Sequence, residues 1–313
     1  MSADGDAVLR AEELLRQRFT GELGSDVALA PYTTFRVGGP AALYAEPAGE
    51  EDLRALAEAV DASGLPVTVI GKGSNLLVSD RGFPGIVVRL GKGFRWSRVE
   101  GSRVEAGAAM PLPALAGVAS SAGLGGLEFG VAIPGSVGGA VRMNAGAHGR
   151  AVADVLESAE VYSLHSGERT TRSASQLGFR YRGSDVEPDA IVVSARLSLE
   201  PRSAEEIRRE MEEAREWRRR TQPLAEPNCG SVFVNPPGDH AARLIEDAGG
   251  KELSVGGARV AEKHANFIVT SEGAQAADVL ELIGKVQDLV AARFDVRLET
   301  EVRLVGDFDP APA

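Results

Sequence analysis

Cysteine and histidine are scarce in this sequence. One cysteine stands among 313 residues, which excludes an internal disulfide and fits a reducing compartment such as the cytoplasm. The four histidines are widely scattered, and no group of cysteines and histidines has the spacing of zinc ligands. We therefore expect no metal site and a cytoplasmic location.

Long apolar runs and a surplus of positive charge are missing as well. No apolar run approaches the roughly 20 residues of a membrane-spanning helix. The opening MSADGDAVLR is acidic before it is apolar, which is not typical of a secretory signal. The formal net charge of −11 produces a field that repels nucleic acids and anionic membranes. We expect neither as a partner; we expect a monomer that binds small molecules.

The composition supports two or three cores in one chain, with 43% hydrophobic and 25% charged residues. The apolar pattern predicts helices over 7–18 and 51–60, and strands over 67–71, 85–90, 157–164 and 190–199. The sequence SAEE at 203–206 resembles a capping box and predicts a charged helix ending near Arg220. Beyond it the pattern predicts strands over 228–236, 265–270 and 297–306, and helices over 240–249 and 275–293.

The first of two glycine-rich tracts is VIGKGSNLLVSD, residues 69–80. It is predicted to run from a strand through a tight loop into another strand. Gly71 and Gly73 free the backbone, while Ser74 and Asn75 add donors; successive N–H groups in such a loop form a nest for phosphate oxygens. The tract lacks the spacing of a Walker A loop, and it is not a dinucleotide fingerprint because an apolar strand follows where a helix should start. A plain glycine hairpin is the alternative.

The second tract is GVAIPGSVGGAVRMNAGA, residues 130–147. Side chains this small let a large planar ligand lie against the main chain. A flexible linker is the alternative, but the apolar residues within the tract disfavour it. Two such loops suit a ligand that carries a pyrophosphate.

Together with YTTFRVGGPA (32–41), these tracts resemble the flavin-binding half of the UDP-N-acetylenolpyruvoylglucosamine reductase family. Further similar stretches follow in the family's order, namely FRYRGS (179–184), CGSVFVNP (229–236), KHANFIV (263–269) and LETEVRLVG (298–306). The resemblance covers nearly the whole chain from about residue 30. It implies that NADPH, through non-covalently bound FAD, reduces the enolpyruvyl double bond of UDP-N-acetylglucosamine enolpyruvate.

The resemblance also implies an α+β fold, with a two-part FAD-binding module of the vanillyl-alcohol-oxidase type before a smaller α/β substrate-binding domain. We place a lead-in helix in 1–29, the module in 30–202 and the substrate domain in 203–313. The short distance from Arg182 to that last domain indicates the type II branch. The implied cofactor-binding residues are Arg36, Gly71, Gly73, Ser74, Asn75, Leu76, Pro134, Gly135, Ser136, Gly138, Gly139, Asn144, Ala145 and Gly146.

Three polar residues carry the implied chemistry. A hydride added to C3 of the enol ether pushes electron density toward C2 and the carboxylate, so the site needs a cation, an acid and a proton for C2. The resemblance assigns the cation to Arg182, the acid to Glu301 and the proton to Ser231. From the residues alone, Arg182 could form a surface salt bridge and Glu301 could be an exposed strand carboxylate. Ser231 could be a hydroxyl that bonds its own backbone at a strand start.

The resemblance assigns substrate binding to Asn235, and Arg219 in the basic run REWRRR (215–220) is a candidate for the diphosphate. A solvated helix face is the alternative for that run. Cys229 is expected to be a buried bystander. Two rival functions are an alcohol-oxidising flavoenzyme and a non-catalytic flavin or sugar-nucleotide module, and the motifs of the second half argue against both.

Overall fold

Helices and strands alternate along the chain in the computed structural model, which describes residues 3–308. The α-helices are α1 (Ala3–Arg18), α2 (Glu50–Ser63), α3 (Leu112–Ser121), α4 (Val137–Arg142), α5 (Ala204–Thr221), α6 (Ala241–Asp247) and α7 (Ala276–Phe294). The strands of the first half are β1 (Glu22–Ala28), β2 (Pro40–Glu46), β3 (Val67–Val69), β4 (Leu76–Val78), β5 (Phe83–Val88), β6 (Ser97–Glu100), β7 (Arg103–Gly107), β8 (Leu124–Gly125), β9 (Gly146–Ala147) and β10 (Arg150–Ala151). Those of the second half are β11 (Leu156–Ser163), β12 (Arg169–Ser173), β13 (Ala190–Ser198), β14 (Glu200–Pro201), β15 (Ser254–Val255), β16 (Ala258–Val260), β17 (Ile268–Thr270) and β18 (Arg303–Val305).

Most of the predicted elements are confirmed. Each predicted helix is present, as are the strands expected over 67–71, 85–90, 157–164 and 190–199. Helices α3 and α4 were not predicted. The strand expected over 297–306 is regular only in β18, where Leu304 is 47% exposed.

The described chain divides into two compact units, and each is assembled from separate stretches. The first comprises the residues up to Asp26, Ala42–Lys72 and Pro84–Arg218; the second comprises Val27–Ala41, Gly73–Phe83 and the residues from Arg219 onward. The chain therefore passes from one unit to the other between Lys72 and Gly73, inside the first glycine loop.

The first unit contains a four-stranded sheet, ordered β1-β2-β5-β3, and an antiparallel five-stranded sheet, ordered β12-β11-β13-β7-β6. The central strand β13 is buried on both faces. Ile191 and Val193 belong to a core cluster with residues of α2, while Val192 belongs to one with residues of α3 and α4. Alternate residues of a strand point to opposite faces, which explains why β13 opens with the uninterrupted apolar run AIVV.

The second unit combines the antiparallel sheet β15-β16-β17 with the parallel pair β4-β18. One face of α7 supplies much of its core through Val279, Ile283, Val286 and Val290. Residues from early in the chain complete this core, namely Phe35, Val37 and Leu77.

Candidate active site

The two glycine loops touch in the first unit, at Gly71. A Cβ added to Gly71 would lie 2.5 Å from Oγ of Ser136, so a larger residue would displace that hydroxyl. Ser136 is the N-cap residue of α4, and its Oγ accepts a hydrogen bond of 3.3 Å from the N–H of Gly139. Glycine at position 71 therefore permits the close approach of the two loops.

A cavity of about 80 Å³ opens where the loops meet, several times the roughly 15 Å³ that one water needs. Its lining includes Gly71, Lys72, Arg89, Ser136, Gly138, Gly139 and Arg142. Burial, together with the nearby charges of Arg89 and Arg95, lowers the pKa of Lys72. An anion bound in this cavity would reduce the repulsion between the positive charges of Lys72, Arg89 and Arg95.

The cavity also presents backbone donors. The N–H groups of Gly71, Lys72 and Ser136 make no hydrogen bond within residues 3–308. The next two N–H groups of the second loop are already paired, since Val137 donates to the carbonyl of Met110 at 2.9 Å and Gly138 to that of Ala108 at 3.0 Å. The first loop thus supplies most of the donors, and the donors and cations together fit a phosphate-bearing cofactor.

The other predicted cofactor residues of the second tract are not among the described residues that line this cavity: Pro134, Gly135, Asn144, Ala145 and Gly146. Arg142, which lies within the second tract, donates to the carbonyls of Val186, Glu187 and Ala190 at 3.4, 3.0 and 2.5 Å. It therefore supports the segment that leads into β13.

The first glycine loop is not a hairpin. Strand β3 pairs with β5, whereas β4 pairs with β18 in the second unit. Gly73 has a φ of 64°, and a Cβ there would lie 2.0 Å from the carbonyl oxygen of Tyr32, so the position requires glycine. The N–H groups of Gly73, Ser74 and Asn75 find no partner in the part of the chain that the structure describes.

Asn75 links this loop to Glu301 within the second unit. Its Nδ2 donates to the backbone carbonyl of Glu301 at 3.0 Å, and its own carbonyl accepts from the N–H of Arg303 at 3.1 Å. Leu76 then opens β4 and pairs with Arg303. Arg36, also in this unit, is exposed and has a left-handed φ of 58°. Asn75, which is predicted to bind the cofactor, thus holds the backbone of Glu301, which is predicted to be catalytic.

The strand predicted over 228–236 is wrong. Only isolated bridges form there, one from Asn228 to Val269 and one from Phe233 to Thr300. Gly230 has a φ of 82°, which turns the chain out of an extended path. The side-chain oxygen of Asn228 accepts from the N–H of Gly230 at 2.9 Å and fixes this turn.

Ser231 therefore follows a glycine turn and does not begin a strand. Its side chain is partly exposed and makes no hydrogen bond within residues 3–308. The alternative interpretation, a hydroxyl that bonds its own backbone, is not observed. The hydroxyl is left available to a ligand.

Ser231 and Glu301 are brought together through Val232. The N–H of Glu301 donates to the carbonyl of Val232 at 2.7 Å, and the N–H of Val234 donates to the carbonyl of Glu299 at 2.9 Å. Cys229, before the turn, is only 4% exposed, as expected for a bystander. Burial, and then the charge of Glu301, raises the pKa of its thiol, so the thiol stays protonated and unreactive.

Arg182 lies in the first unit, on a tight turn. The backbones of Arg180 and Gly183 exchange hydrogen bonds of 3.0 and 3.2 Å, and Arg182 has a left-handed φ of 56°. Its Cζ is 4.9 Å from the ring centroid of Tyr181. Asn144 holds the turn, because its Nδ2 donates to the carbonyl of Arg180 at 3.1 Å.

The two predicted substrate residues lie in the second unit. The Oδ1 of Asn235 accepts from the N–H of Ala241 at 3.0 Å and so caps α6. Arg219 is exposed near the end of α5, and its carbonyl accepts from Nζ of Lys263 at 2.8 Å.

Comparisons with known proteins agree with this arrangement. The sequence model of the UDP-N-acetylenolpyruvoylglucosamine reductase C-terminal domain matches residues 222–305, and that of an FAD binding domain matches residues 41–172. The UDP-N-acetylenolpyruvoylglucosamine reductase of Heliobacterium modesticaldum is 45% identical over 92% of this chain and 92% of its own. The chain belongs to the UDP-N-acetylenolpyruvoylglucosamine reductase family. The Bacillus subtilis reductase is 38% identical over 93% of this chain and 97% of its own.

A solved structure of the family supports the fold. The crystal structure of the reductase (MurB) from Thermus caldophilus matches with a TM-score of 0.79 and 41% identity, covering 91% of this chain and 98% of that one. The predicted α+β fold with an FAD-binding module is confirmed. Family membership makes the chain a flavin-dependent oxidoreductase. None of the helices within residues 3–308 is long and apolar enough to cross a membrane.

The contact between Gly71 and Ser136 offers a test of the cofactor site in this family member. We expect Gly71→Ala to weaken FAD binding about tenfold, because overpacking costs roughly 1–3 kcal/mol and 1.4 kcal/mol is a factor of ten. Fluorescence titration of the apoprotein with FAD measures the affinity.

Ser136→Ala supplies the matched background. It removes the clashing Oγ, and the remaining Ser136 Cβ would lie 3.6 Å from the added methyl group, an ordinary contact. Gly71→Ala should therefore have almost no effect in a Ser136→Ala protein. A tenfold loss in both backgrounds would show that this contact does not shape the FAD site.

Proposed function

We propose that the chain reduces UDP-N-acetylglucosamine enolpyruvate to UDP-N-acetylmuramate in peptidoglycan precursor synthesis, with NADPH as reductant and non-covalently bound FAD as electron carrier. Besides family membership, one observation carries the proposal. The Ser231 hydroxyl makes no hydrogen bond within residues 3–308, and the next residue, Val232, accepts a hydrogen bond from the N–H of Glu301.

Cofactor binding rests on the glycine loops. In the first unit, the N–H groups of Gly71, Lys72 and Ser136 would donate to phosphate oxygens, and the Lys72 ammonium would offset their charge. In the second unit, the N–H groups of Gly73, Ser74 and Asn75 are further donors. When bound, FAD takes electrons from NADPH and supplies a hydride to C3 of the enol ether.

Ser231 gives its proton to C2. A serine hydroxyl is a weak acid, so it serves only against a strongly basic, carbanion-like centre. C2 becomes such a centre once the hydride has been added to C3. No histidine or aspartate partner is required, because the hydroxyl donates and does not attack. The turn just before Ser231 is uncrowded, since a Cβ at Gly230 would meet no atom within 4 Å.

Arg182 and Glu301 hold the charge that develops on the carboxylate. A guanidinium stays protonated and binds a carboxylate through two parallel hydrogen bonds. Glu301 supplies the acid in this proposal. The left-handed backbone at Arg182 is fixed by its turn and by Asn144, which limits the positions that the guanidinium can adopt before substrate arrives.

Asn235 and Arg219 bind the nucleotide sugar in this proposal. Arg219 lies in the basic run REWRRR and binds the diphosphate. The Oδ1 of Asn235 caps α6, and its Nδ2 donates to the substrate. The proposal also keeps the expectations of a monomer and of a cytoplasmic location.

The purified protein should be yellow, and acid precipitation should release all of the colour into the supernatant. Tethered flavins on such modules commonly use a histidine or cysteine near the glycine loops. His148, at the end of the second loop, is the candidate, because Cys229 is buried and lies far along the sequence from both loops. Absorbance at flavin wavelengths in the pellet and the supernatant decides the point. A yellow pellet would contradict the prediction and point to His148.

NADPH oxidation with and without the enolpyruvyl nucleotide sugar tests the reaction itself. We expect rapid oxidation only when that substrate is present. Turnover with small alcohols but not with the nucleotide sugar would favour the alcohol-oxidising alternative.

A further inference from the structure

Asn266 makes an unusual set of hydrogen bonds to the segment that follows Ser231. Its Oδ1 accepts from the N–H of Phe233 at 2.9 Å, and its Nδ2 donates to the carbonyl of Phe233 at 2.8 Å. Its backbone carbonyl accepts from the N–H of Val232 at 2.9 Å. The side chain is only 4% exposed, so these bonds are shielded from water.

The amide of Asn266 replaces a neighbouring strand. In a β-ladder, one residue donates to and accepts from its partner, and here the carboxamide does both for Phe233. The opposite side of the same segment bonds to the backbone of Glu299 and Glu301. The segment is thus held from two sides, although it belongs to no regular sheet.

We propose that Asn266 is a positioning residue for the proton transfer from Ser231. Gly230, just before Ser231, has a left-handed φ that leaves this end of the segment without a ladder. Asn228 fixes the turn before Ser231, and the hydrogen bonds to Asn266 hold the segment after it. The proposal rests on the proposed function, since it assumes that Ser231 is the proton donor.

Asn266→Asp is the sharpest test, because it changes one atom. The carboxylate still accepts from the N–H of Phe233, but its second oxygen faces the Phe233 carbonyl and cannot donate. We expect the reoxidation of reduced flavin by the enol substrate to slow about 10- to 100-fold, since a displacement of about 1 Å can cost 10²-fold. Flavin reduction by NADPH needs no proton at C2 and should stay unchanged.

A pH profile separates positioning from mere loss of stability. Burial raises the pKa of a carboxyl group, and the protonated form of Asn266→Asp has an O–H that donates to the carbonyl of Phe233. The reoxidation rate relative to the parent enzyme at the same pH should therefore rise as pH falls. A ratio that does not change with pH would contradict the proposal.

Asp278→Ala is the matched control in the same unit. The Oδ2 of Asp278 accepts from the N–H groups of Gly257 and Gln275, both at 3.0 Å, so this variant loses two side-chain bonds to backbone, at least as many as Asn266→Asp. It should lower the unfolding temperature and leave both half-reactions unchanged. If Asn266→Asp does not fold, Asn266→Ser takes its place in the kinetic comparison.

Combination with Ser231→Ala shows whether the effect passes through the hydroxyl. Asn266→Asp should slow reoxidation little further in a Ser231→Ala protein, because residues that act as a unit are not additive. A full additional loss would overturn the proposal.

If Ser231→Ala slows reoxidation but the Asn266 variants do not, this inference fails while the proposed function stands. If Ser231→Ala itself has no effect, the proton-donor role fails and the inference falls with it.

Discussion

Ser231→Ala is expected to be reduced by NADPH at the normal rate and to be reoxidised by the enol substrate roughly 10²- to 10⁴-fold more slowly, which is the range for a positioned proton transfer. The two half-reactions differ because only the second needs a proton at C2. The hydroxyl has no hydrogen-bond partner within residues 3–308, so its removal leaves no buried polar group unsatisfied. Stopped-flow measurement of flavin absorbance follows each half-reaction separately.

Two neighbouring variants sharpen this result. Ser231→Cys should lose less activity than Ser231→Ala, because a thiol in the same place can still donate a proton. Cys229→Ser should leave both half-reactions nearly intact, since this side chain is buried and precedes the turn at Gly230. Equal slowing of both half-reactions in Ser231→Ala would mean that the residue shapes the site and gives up no proton.

Arg182→Lys is expected to slow reduction of the enol substrate about 10²- to 10³-fold, comparable to the loss of one donor to a developing oxyanion. The charge remains, but the planar fork that matches a carboxylate is lost. FAD binding and flavin reduction by NADPH should change little. Single-turnover reoxidation and an FAD titration measure the two effects.

Arg180→Lys is the matched control on the same turn. Arg180 is exposed and pairs with Asp185 at 2.5 Å, and exposed pairs contribute little to stability. This variant should behave like the parent enzyme in both half-reactions. Unchanged turnover in Arg182→Lys would remove Arg182 from the mechanism.

The sequence predicts the helices well because their signals are local. The apolar stripe of α7, with residues such as Val279 and Ile283, repeats at helical spacing and is buried throughout. The strand AIVV at the start of β13 is likewise predictable, because burial on both faces produces a continuous apolar run. Helix α7 and the start of β13 need the rest of the protein only to bury their apolar side chains, and the positions of those side chains can be read from the sequence.

The segment around Ser231 was mispredicted for a physical reason. Val232, Phe233 and Val234 have strong strand preferences, yet strand pairing is decided by partners far away in sequence. Here a side-chain amide, Asn266, supplies the hydrogen bonds that a strand would have supplied. Nothing local in the sequence distinguishes that amide from any other buried asparagine.

The site was partly predictable. The glycine loops are recognisable because Gly71 and Gly73 occupy positions that exclude larger residues. Nothing local in the sequence indicates that Asn75 bonds to the carbonyl of Glu301, or that Asn144 supports the turn of Arg182. Both asparagines were expected to touch the cofactor, and their structural bonds depend on contacts between remote stretches.

Because the second unit is built from distant stretches of the sequence, it cannot finish folding while the chain is still being synthesised. The hydroxyl of Thr270 donates to the carbonyl of Phe35 across 235 positions, and Ser79 donates to Asp307 across 228. At roughly 5–20 residues per second, Phe35 and its apolar neighbours wait about 10–50 s after synthesis before their partners emerge. During that interval the nascent chain exposes residues that belong in a core, which favours chaperone binding and delays closure of the second unit until its last residues emerge.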